Sequence, residues 1–398
     1  MQFEIVYVGN LYFPPMRVLY VWHGAVEKEY RRIFSEFVRK GVDLTVITAK
    51  RWFEASKFQS FELSETDRGY KIYPLATVFT NHIRAFFYLN VLRIIRELVK
   101  QKFDIVYIKE EPYSTASFML VVLTKIFSPK SKIIVESDEN ILKRHPFPFS
   151  IFERFLLNHI NALCVVPTEG IELYRKKGFE GMIFKVSYFV NVENFFKVDK
   201  SEVLKKIPEL DFDGLKVGFV GRVSEEKGVD TVIEAIRHLK GKGKDKIMFF
   251  IVGKESVEYS NFLRSKIKEY SLENEVKFLG QFGYDKLLYF YNGIDCLVLP
   301  SRTKSWWKEQ FGRVIVECMA CGTPVVGSDS GEIPVVIDNP ELTFKEDDYV
   351  ALANILERFY DGVFRKEEFS NLLIEESKKY SVEEVAKNKI EIFERILQ

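Results

Sequence analysis

Short apolar stretches alternate along the chain with longer segments whose apolar positions recur at helical spacing. In the first half these stretches lie at residues 16–22, 43–47, 104–108 and 132–135. In the second half they lie at residues 215–221, 247–252, 294–299 and 325–326. Strands that alternate with helices in this way form mostly parallel sheets with helices on their faces. The pattern therefore predicts an α/β protein with two doubly wound, Rossmann-like domains.

We place one domain border between the two series of alternating strands and helices, and the other where the last helix begins. The first domain is expected over residues 1–190 and the second over residues 191–379. Residues 382–397 carry an apolar stripe at helical spacing, so a C-terminal helix within 380–398 is expected to pack at the domain junction. Because Met16 starts a better strand than residues 5–8 do, we treat residues 1–15 as a hypothetical extension.

Length and composition agree with this organisation. A chain of 398 residues is long for a single core, and 47% hydrophobic with 29% charged residues is typical of a globular protein. We see no apolar run long enough to span a membrane and no secretory signal, so a cytoplasmic location is expected. Nothing in the composition indicates nucleic-acid binding.

The net charge of +1 hides an uneven distribution, because residues 1–190 carry 27 Lys and Arg against 20 Asp and Glu. This basic half is compatible with peripheral contact at the inner face of a membrane or with an acidic acceptor, and also with an ordinary solvated surface.

The four cysteines are not at the spacings of a disulfide framework, so free thiols are expected. Cys318 and Cys321 have the spacing of half a metal site. No second Cys/His pair accompanies them, and close packing of a helix explains them as well.

Residues 309–317 predict an anion site. Gly312 lies between a predicted strand and a predicted helix, where the first amide groups lack helical partners and the helix dipole favours a negative charge. Glu309 and Glu317 flank that position. A phosphate fits there, and the two carboxylates are suited to sugar and ribose hydroxyl groups.

The loop from Gly221 to Gly228 follows the first strand of the second domain and contains Arg222 and Lys227. Cations at a helix start oppose the helix dipole, so they indicate an anionic partner, for which a diphosphate is suited. A solvated turn is the alternative interpretation of the same residues.

Together, these two motifs resemble the donor site of retaining GT-B glycosyltransferases of family 4, the glycosyl transferases group 1. The resemblance rests on Glu309 and Glu317 with Phe311 and Gly312 between them, followed by a Met-Ala-x-Gly-x-Pro-Val-Val segment at 319–326. It implies two Rossmann-like domains facing across a donor cleft, with the C-terminal helix returning to the N-terminal domain. It also implies transfer of a sugar, with retention, from a nucleoside-diphosphate sugar to a hydroxyl acceptor in polysaccharide or glycoconjugate biosynthesis. The acceptor is a glycan, a lipid-linked saccharide or a small molecule, and no metal or other cofactor is expected.

The resemblance assigns roles to individual residues. Glu309, Arg222 and Lys227 are expected to be catalytic. The residues expected to bind the donor are Gly221, Gly253, Phe282, Phe311, Gly312, Arg313, Val314 and Glu317.

The acceptor side is less well marked. Many relatives place a histidine after the strand at 132–135, where this chain has Asp138, Glu139 and Asn140, and we expect His145 to be a loop surface residue. The residues that we consider as donor or acceptor contacts are Gly24, Glu110, Glu111, Asn140, Arg144 and Trp307. A tight turn also explains Gly24, and a buried aromatic wedge also explains Trp307.

Other functions fit the sequence less well. The Asp211-Phe212-Asp213 segment precedes a strand and is poorly placed to hold a metal on the donor. A glycoside hydrolase needs paired carboxylates but neither the helix-start glycine nor the cations. The remaining alternatives are a non-catalytic sugar-nucleotide or glycan-binding scaffold, an epimerase and a phosphorylase.

Overall fold

A computed structural model describes residues 15–54 and 57–398. The hypothetical extension therefore lies, apart from Pro15, outside the described residues. The chain divides into two compact units. The first unit comprises the residues up to 136, residues 145–163 and residues 390–398, and the second comprises residues 137–144 and 164–389. The domain borders derived from the sequence stay predictions.

Seventeen strands and fourteen α-helices make up the described part of the chain. The strands are β1 (Arg17–Val21), β2 (Asp43–Ala49), β3 (Arg51–Glu54), β4 (Lys57–Ser60), β5 (Lys71–Leu75), β6 (Thr77–Val78), β7 (Phe87–Tyr88), β8 (Ile105–Ile108), β9 (Lys132–Ser137), β10 (Ala162–Val165), β11 (Met182–Lys185), β12 (Leu215–Val220), β13 (Ile247–Val252), β14 (Val276–Gly280), β15 (Cys296–Leu299), β16 (Val325–Ser328) and β17 (Thr343–Phe344). The helices are α1 (Arg32–Arg39), α2 (Val91–Gln101), α3 (Thr115–Phe127), α4 (Phe149–Leu157), α5 (Glu169–Lys176), α6 (Lys200–Lys206), α7 (Val229–Gly241), α8 (Val257–Glu269), α9 (Tyr284–Gly293), α10 (Arg313–Ala320), α11 (Ile333–Ile337), α12 (Tyr349–Tyr360), α13 (Lys366–Ser377) and α14 (Val382–Leu397).

The first sheet has seven strands in the order β11-β10-β9-β8-β1-β2-β5. Strands β9, β8, β1, β2 and β5 pair in parallel, and every residue of β8 is buried. Parallel strands that are covered on both faces have continuous apolar sequences. These strands could therefore be predicted from their apolar runs. The order reverses between β1 and β8, the arrangement of a doubly wound sheet.

The amphipathic pattern over residues 26–40 predicts one continuous helix, and this prediction is wrong in its first half. Two 3-10 turns, at His23–Val26 and Lys28–Arg31, precede α1. The buried Arg31 guanidinium donates to the carbonyl oxygens of Ala25 and Val26, at 3.0 Å each. A continuous α-helix needs those two oxygens for its own amides, so the arginine contacts favour the tighter turns.

The C-terminal helix α14 ends within the first unit, as the GT-B resemblance implies. The ring of Phe393 lies 5.9 Å from that of Phe37 in α1 and 5.3 Å from that of Tyr107 in β8. All three side chains are fully buried. Aromatic contacts at these distances stabilise the pairs beyond simple burial, so the last turns of the chain complete the core of the first unit.

The second sheet lies entirely in the second unit and has the parallel order β14-β13-β12-β15-β16-β17. Its central strands β13 and β15 are buried at every position. The four cysteines are free and buried, and Cys318 and Cys321 belong to the packed end of α10. Among the described residues, no helix combines the length and apolar character needed to cross a membrane.

Candidate active site

The strand order of the second sheet reverses between β12 and β15. Loops that leave two such strands diverge and open a crevice at the carboxyl ends, where ligands bind in open α/β sheets. Arg222 and Lys227 lie in the loop after β12, and Glu309 lies in the loop after β15. Lys227 and Glu309 are 82 positions apart in the sequence. The two sequence motifs therefore meet at the switch point of this sheet.

Two glycines permit close backbone approaches around this crevice. A Cβ atom on Gly253, at the end of β13, would lie 1.6 Å from the carbonyl oxygen of Gly221. Gly228, with φ of +65°, would place a Cβ atom 2.0 Å from the carbonyl oxygen of Pro300. Only glycine fits such contacts, so the loop after β12 packs directly on the ends of its neighbouring strands.

Lys227 and Glu309 form the central ion pair of the site. Lys227 Nζ lies 2.6 Å from Glu309 Oε2, and the two side chains are only 14% and 12% exposed. The Ser301 hydroxyl donates to the same carboxylate oxygen at 3.2 Å. The ammonium group also lies 4.5 Å from the centre of the Trp307 ring, within cation–π distance. Lys227 thus joins the two loops through one carboxylate and one aromatic ring.

Arg222 is placed differently, because its side chain is 64% exposed. Its guanidinium lies 3.4 Å from Glu226 Oε1, and the Ser224 hydroxyl donates to the same oxygen at 2.7 Å. Glu226 is buried, so it holds the base of the loop while the arginine extends toward solvent. An exposed guanidinium can reorient toward a phosphate at little cost.

The helix α10 begins at Arg313, directly after Gly312. Gly312 has φ of +81°, and a Cβ atom there would lie 2.8 Å from Ile315 Cδ1, so the tight entry to the helix depends on this glycine. Phe311 is buried, and its ring packs against those of Tyr188 and Tyr380. The helix start predicted from the sequence is confirmed, and the first amides of α10, including that of Val314, follow Gly312.

Glu317 lies in the second turn of α10 and is buried. Burial raises the pKa of its carboxyl group, which the hydrogen bond from the Tyr291 hydroxyl (2.8 Å) and the charge of Arg313 partly oppose. Arg313 in turn lies 5.0 Å from the centre of the Tyr188 ring. The expected ribose contact of Glu317 stays a prediction.

The loop residues near Glu309 receive support from the segment that follows β9. Asn140 donates from Nδ2 to the Glu309 carbonyl oxygen at 3.1 Å, and Gln310 donates from Nε2 to that of Asp138 at 2.8 Å. Arg144 is exposed. Asn140 therefore positions the backbone of a predicted catalytic residue, whatever substrate contact it makes.

Phe282 follows β14, at the same edge of the sheet as Gly253. Its ring is partly buried, and Lys286 Nζ lies 4.1 Å from the ring centre. This position agrees with a place among the strand ends, where we expect the nucleobase.

The first unit holds Gly24, Glu110 and Glu111. Gly24 lies in the 3-10 turn after β1, where a Cβ atom would meet the indole ring of Trp22 at 2.6 Å, so a packed turn explains this glycine. Glu110 is buried, and Glu111 is partly buried beside it.

The expectation that His145 is a surface residue is wrong. Its ring is buried and stacks on Tyr113 with the centres 3.9 Å apart.

Sequence reasoning missed residues that hold the site together. Arg302, just after Ser301, donates to Asp230 Oδ2 at 2.7 Å and to the Thr231 hydroxyl at 3.0 Å. Burial acts to raise the pKa of Asp230, but the hydrogen bonds from Arg302 and Tyr259 leave it below its ordinary value. The Arg302 contact ties the end of β15 to the start of α7. A polar residue directly after a buried strand was the only signal in the sequence.

Asp213 lies at the opposite end of the sheet from the site. It precedes β12 and pairs with Lys246, which precedes β13, at 3.1 Å. The Asp211-Phe212-Asp213 segment is thus remote from the carboxyl ends where Lys227 and Glu309 lie.

The known families and proteins that this chain resembles are glycosyltransferases. A family model described as glycosyl transferases group 1 matches residues 200–379. A D-inositol 3-phosphate glycosyltransferase of Streptomyces bingchenggensis is 28% identical over 176 residues, which cover 42% of this chain and 38% of that protein. The match thus spans less than two fifths of the length of this curated relative.

Two solved structures cover nearly the whole chain. A glycosyltransferase from Rickettsia africae has a TM-score of 0.73 at 17% identity and covers 97% of this chain and 100% of its own. HepE from Anabaena, solved in complex with UDP, has a TM-score of 0.71 at 18% identity and covers 96% of this chain and 100% of its own. At these identities the likeness concerns the fold, and it confirms the expected GT-B architecture.

Proposed function

We propose that this chain, whose residues 200–379 match the family model of glycosyl transferases group 1, is a retaining glycosyltransferase that uses a nucleoside-diphosphate sugar and no metal. The observation that carries the proposal is the contact between Lys227 and Glu309 at the switch point of the second sheet. It joins a cation suited to a diphosphate with a carboxylate suited to sugar hydroxyl groups. HepE, which shares the fold, has also been solved with UDP-glucose, which supports a nucleotide sugar as the donor.

Negative charge grows on the leaving diphosphate as its bond to the anomeric carbon breaks. Lys227, Arg222 and the first amides of α10 supply positive charge at the carboxyl ends of β12 and β15. Three such sources can stabilise the leaving group without a metal ion. We assign Lys227 to this task as a point charge and the exposed Arg222 as a guanidinium that closes on phosphate oxygens.

In the proposed reaction the acceptor hydroxyl attacks the same face of the sugar that the diphosphate leaves. The carbon–oxygen bond to the phosphate breaks, a carbon–oxygen bond to the acceptor forms, and the acceptor proton moves to a phosphate oxygen. Glu309, already bonded to Lys227 and Ser301, would bind sugar hydroxyl groups and stabilise positive charge at the anomeric carbon. Glu317 would bind the ribose.

A thermal-shift screen of UDP-, GDP- and ADP-sugars tests donor binding first, because a ligand that binds only the folded protein raises its melting temperature. Transfer with the best donor is then followed by NMR of the anomeric configuration, with and without a chelator. We expect retention, activity in the chelator and loss of activity in Lys227→Ala. Lys304→Ala is the matched control, since Lys304 pairs with Glu225 in the same region and not with Glu309.

Several outcomes would contradict the proposal. Absence of binding by every nucleotide sugar would remove the donor, and an inverted product would refute retention. Turnover of a glycan with inorganic phosphate alone would indicate a phosphorylase, and conversion of the nucleotide sugar without an acceptor would indicate an epimerase. Binding without any turnover would favour a non-catalytic scaffold.

We further propose peripheral contact with an anionic membrane through the outer face of α3 and α4, consistent with a lipid-linked acceptor. Helix α3 is apolar at most positions, and the rings of Phe118 in α3 and Phe152 in α4 stack with centres 4.3 Å apart. Ile126 and Ile151 are exposed on the same two helices, which also carry the exposed cations Lys125 and Arg154. Apolar side chains flanked by cations match an interface with acidic lipid.

Vesicle flotation tests this contact. We expect binding to vesicles with phosphatidylglycerol, weaker binding to phosphatidylcholine alone, and loss of binding in the double variant Ile126→Glu, Ile151→Glu. Val257→Glu, which changes an exposed apolar residue of α8 in the second unit, is the control. Equal flotation of wild type and double variant would exclude this surface.

A further inference from the structure

A second switch point lies in the first unit, between β1 and β8 of the first sheet. Val21 pairs with Ile108 in the parallel register, so the residues two positions beyond them are brought side by side. Those residues are His23 and Glu110. The carboxyl ends of strands at a switch point are the usual place for a ligand in open α/β sheets. The sequence names Glu110 as a candidate contact but gives no role to His23.

Glu110 holds His23 through both its backbone and its ring. The His23 amide donates to Glu110 Oε1 at 2.6 Å, and His23 Nδ1 contacts Oε2. The Tyr88 hydroxyl donates to Oε1 at 2.9 Å, and the Glu110 side chain is fully shielded from solvent. Three donors on one buried carboxylate fix its position, and with it the orientation of the imidazole.

This contact decides which hydrogen-bonding atom the histidine presents. A carboxylate oxygen accepts, so Nδ1 carries the hydrogen and Nε2 of the neutral ring keeps a lone pair. The ring packs against Trp52 and Phe86, with centres at 4.1 and 5.3 Å, and the His23 side chain is 16% exposed. Among the residues that the structure describes, Nε2 has no hydrogen-bond partner, so it is an oriented acceptor at the edge of the sheet.

The charges around His23 favour a neutral ligand. The nearest cation along β8 is Lys109, which pairs with the buried carboxylate of Glu136. Glu110 contacts the ionisable ring of His23, and Glu136 contacts the ammonium group of Lys109; each carboxylate also accepts a hydrogen bond from a tyrosine hydroxyl. Each of these two nitrogen groups is therefore matched by a carboxylate. A phosphate needs an excess of positive charge, whereas a hydroxyl group needs only a fixed acceptor.

We propose that His23 and Glu110 form a sugar-hydroxyl site of the first unit. His23 Nε2 accepts a hydrogen bond from a sugar hydroxyl group, and Glu110 is the positioning residue that sets the tautomer. The inference rests on the proposed glycosyl transfer and deepens it. The sugar belongs either to the acceptor or to the donor, and the chemistry of recognition is the same for both.

Nitrogen-15 NMR of the imidazole rings tests this site directly. The chain has five histidines, so the signal missing from His23→Gln identifies His23. We expect the Nδ1–H tautomer and a shift of Nε2 on addition of methyl glucoside, galactoside or mannoside, or of the corresponding UDP-sugars. UDP and inorganic phosphate should leave it unchanged. A response to simple glycosides assigns the site to the acceptor, and a response to UDP-sugars alone assigns it to the donor sugar.

Variants separate binding from positioning. Glu110→Gln should lose the tautomer preference and weaken sugar binding roughly tenfold, as expected for one well-oriented hydrogen bond. Tyr88→Phe removes one donor to Glu110, keeps the His23 contact and should retain the tautomer. His82→Gln, at an exposed histidine of the same unit, is the control.

The inference is overturned if no glycoside or UDP-sugar changes the nitrogen-15 chemical shift of His23 Nε2. It is also overturned if inorganic phosphate changes that shift. An unchanged tautomer in Glu110→Gln overturns the positioning role. Failure of the proposed function would give another result. Nucleotide binding that depends on Lys227 would be absent, while a glycoside would still change the chemical shift of His23.

Discussion

Replacing Glu309 by glutamine should weaken the fold and yet strengthen the binding of UDP. The substitution keeps the shape of the side chain but removes the charge that Lys227 contacts at 2.6 Å. Lys227 is only 14% exposed, so its ammonium group would lose its carboxylate partner in a site with little water. The same ammonium group then becomes available to the diphosphate, and the repulsion between Glu309 and the phosphates disappears.

The magnitudes follow from the exposure of the pair. Exposed ion pairs contribute up to about 1 kcal/mol, whereas removing one partner of a fully buried pair costs about 3 to 5 kcal/mol. With both side chains slightly exposed and the Trp307 ring still 4.5 Å from Lys227 Nζ, we expect a loss of about 2 kcal/mol in the free energy of unfolding. For UDP we expect a gain of about 1 kcal/mol, or a fivefold lower Kd.

Urea unfolding and isothermal titration with UDP measure the two effects on the same samples. Glu225→Gln is the matched control, because Glu225 lies in the same loop as Lys227 but pairs with Lys304. It should change neither quantity. Transfer activity of Glu309→Gln should fall sharply despite the tighter UDP binding. Unchanged or weaker UDP binding in Glu309→Gln would refute the idea that Glu309 and the diphosphate compete for Lys227.

Three further variants examine other parts of the chain. Arg222→Ala should weaken UDP binding about tenfold without changing stability, because the side chain is 64% exposed, and titration at low and high salt should show the difference shrinking. Gly228→Ala should lower both stability, by about 1 to 3 kcal/mol, and donor affinity, because its Cβ atom would meet the Pro300 carbonyl oxygen; an unaffected melting curve would show that the loop can shift. Asp67→Asn concerns the buried pair with Arg31 at 2.8 Å. Burial acts to raise the pKa of Asp67, but hydrogen bonds from Arg31, Tyr70 and the Ser64 amide outweigh it and lower the pKa. The ionised pair therefore stabilises the fold above about pH 4 and is lost as the pH falls through the lowered pKa. Asp67→Asn should cost about 3 kcal/mol near neutral pH and progressively less in acid, measured by urea unfolding; a cost independent of pH would contradict this assignment.

Local patterns were enough for most of the secondary structure. Between the strands at 104–108 and 132–135 the pattern predicts a helix over 115–127, and α3 has these two ends because Ser114 caps it and its apolar positions continue to Phe127. The start of α10 was equally clear, since Gly312 is needed at the helix entry. Where a single buried side chain redirects the backbone, as Arg31 does after β1, periodicity misled the prediction.

Only those site residues that belong to a short, continuous sequence motif could be predicted from the sequence. Lys227 and Glu309 were found because each sits in a recognisable segment. The pairing of His23 with Glu110 depends on which strands are neighbours and in which register, and no short pattern in the chain encodes that. The inverse error occurred at His145, where a following proline suggested a surface loop and the aromatic ring of Tyr113 covers the imidazole instead.

The burial of all four cysteines gives the natural chain a practical advantage for spectroscopy. Burial raises the pKa of the Cys296 and Cys318 thiols, and that of Cys321 to about 12, while Cys164 is buried as well. Thiol reagents attack the exposed thiolate, so these positions should resist labelling in the folded protein. A cysteine introduced at exposed Asp213 would then be labelled selectively, and a single dye could be attached to the second unit with every native core residue left in place.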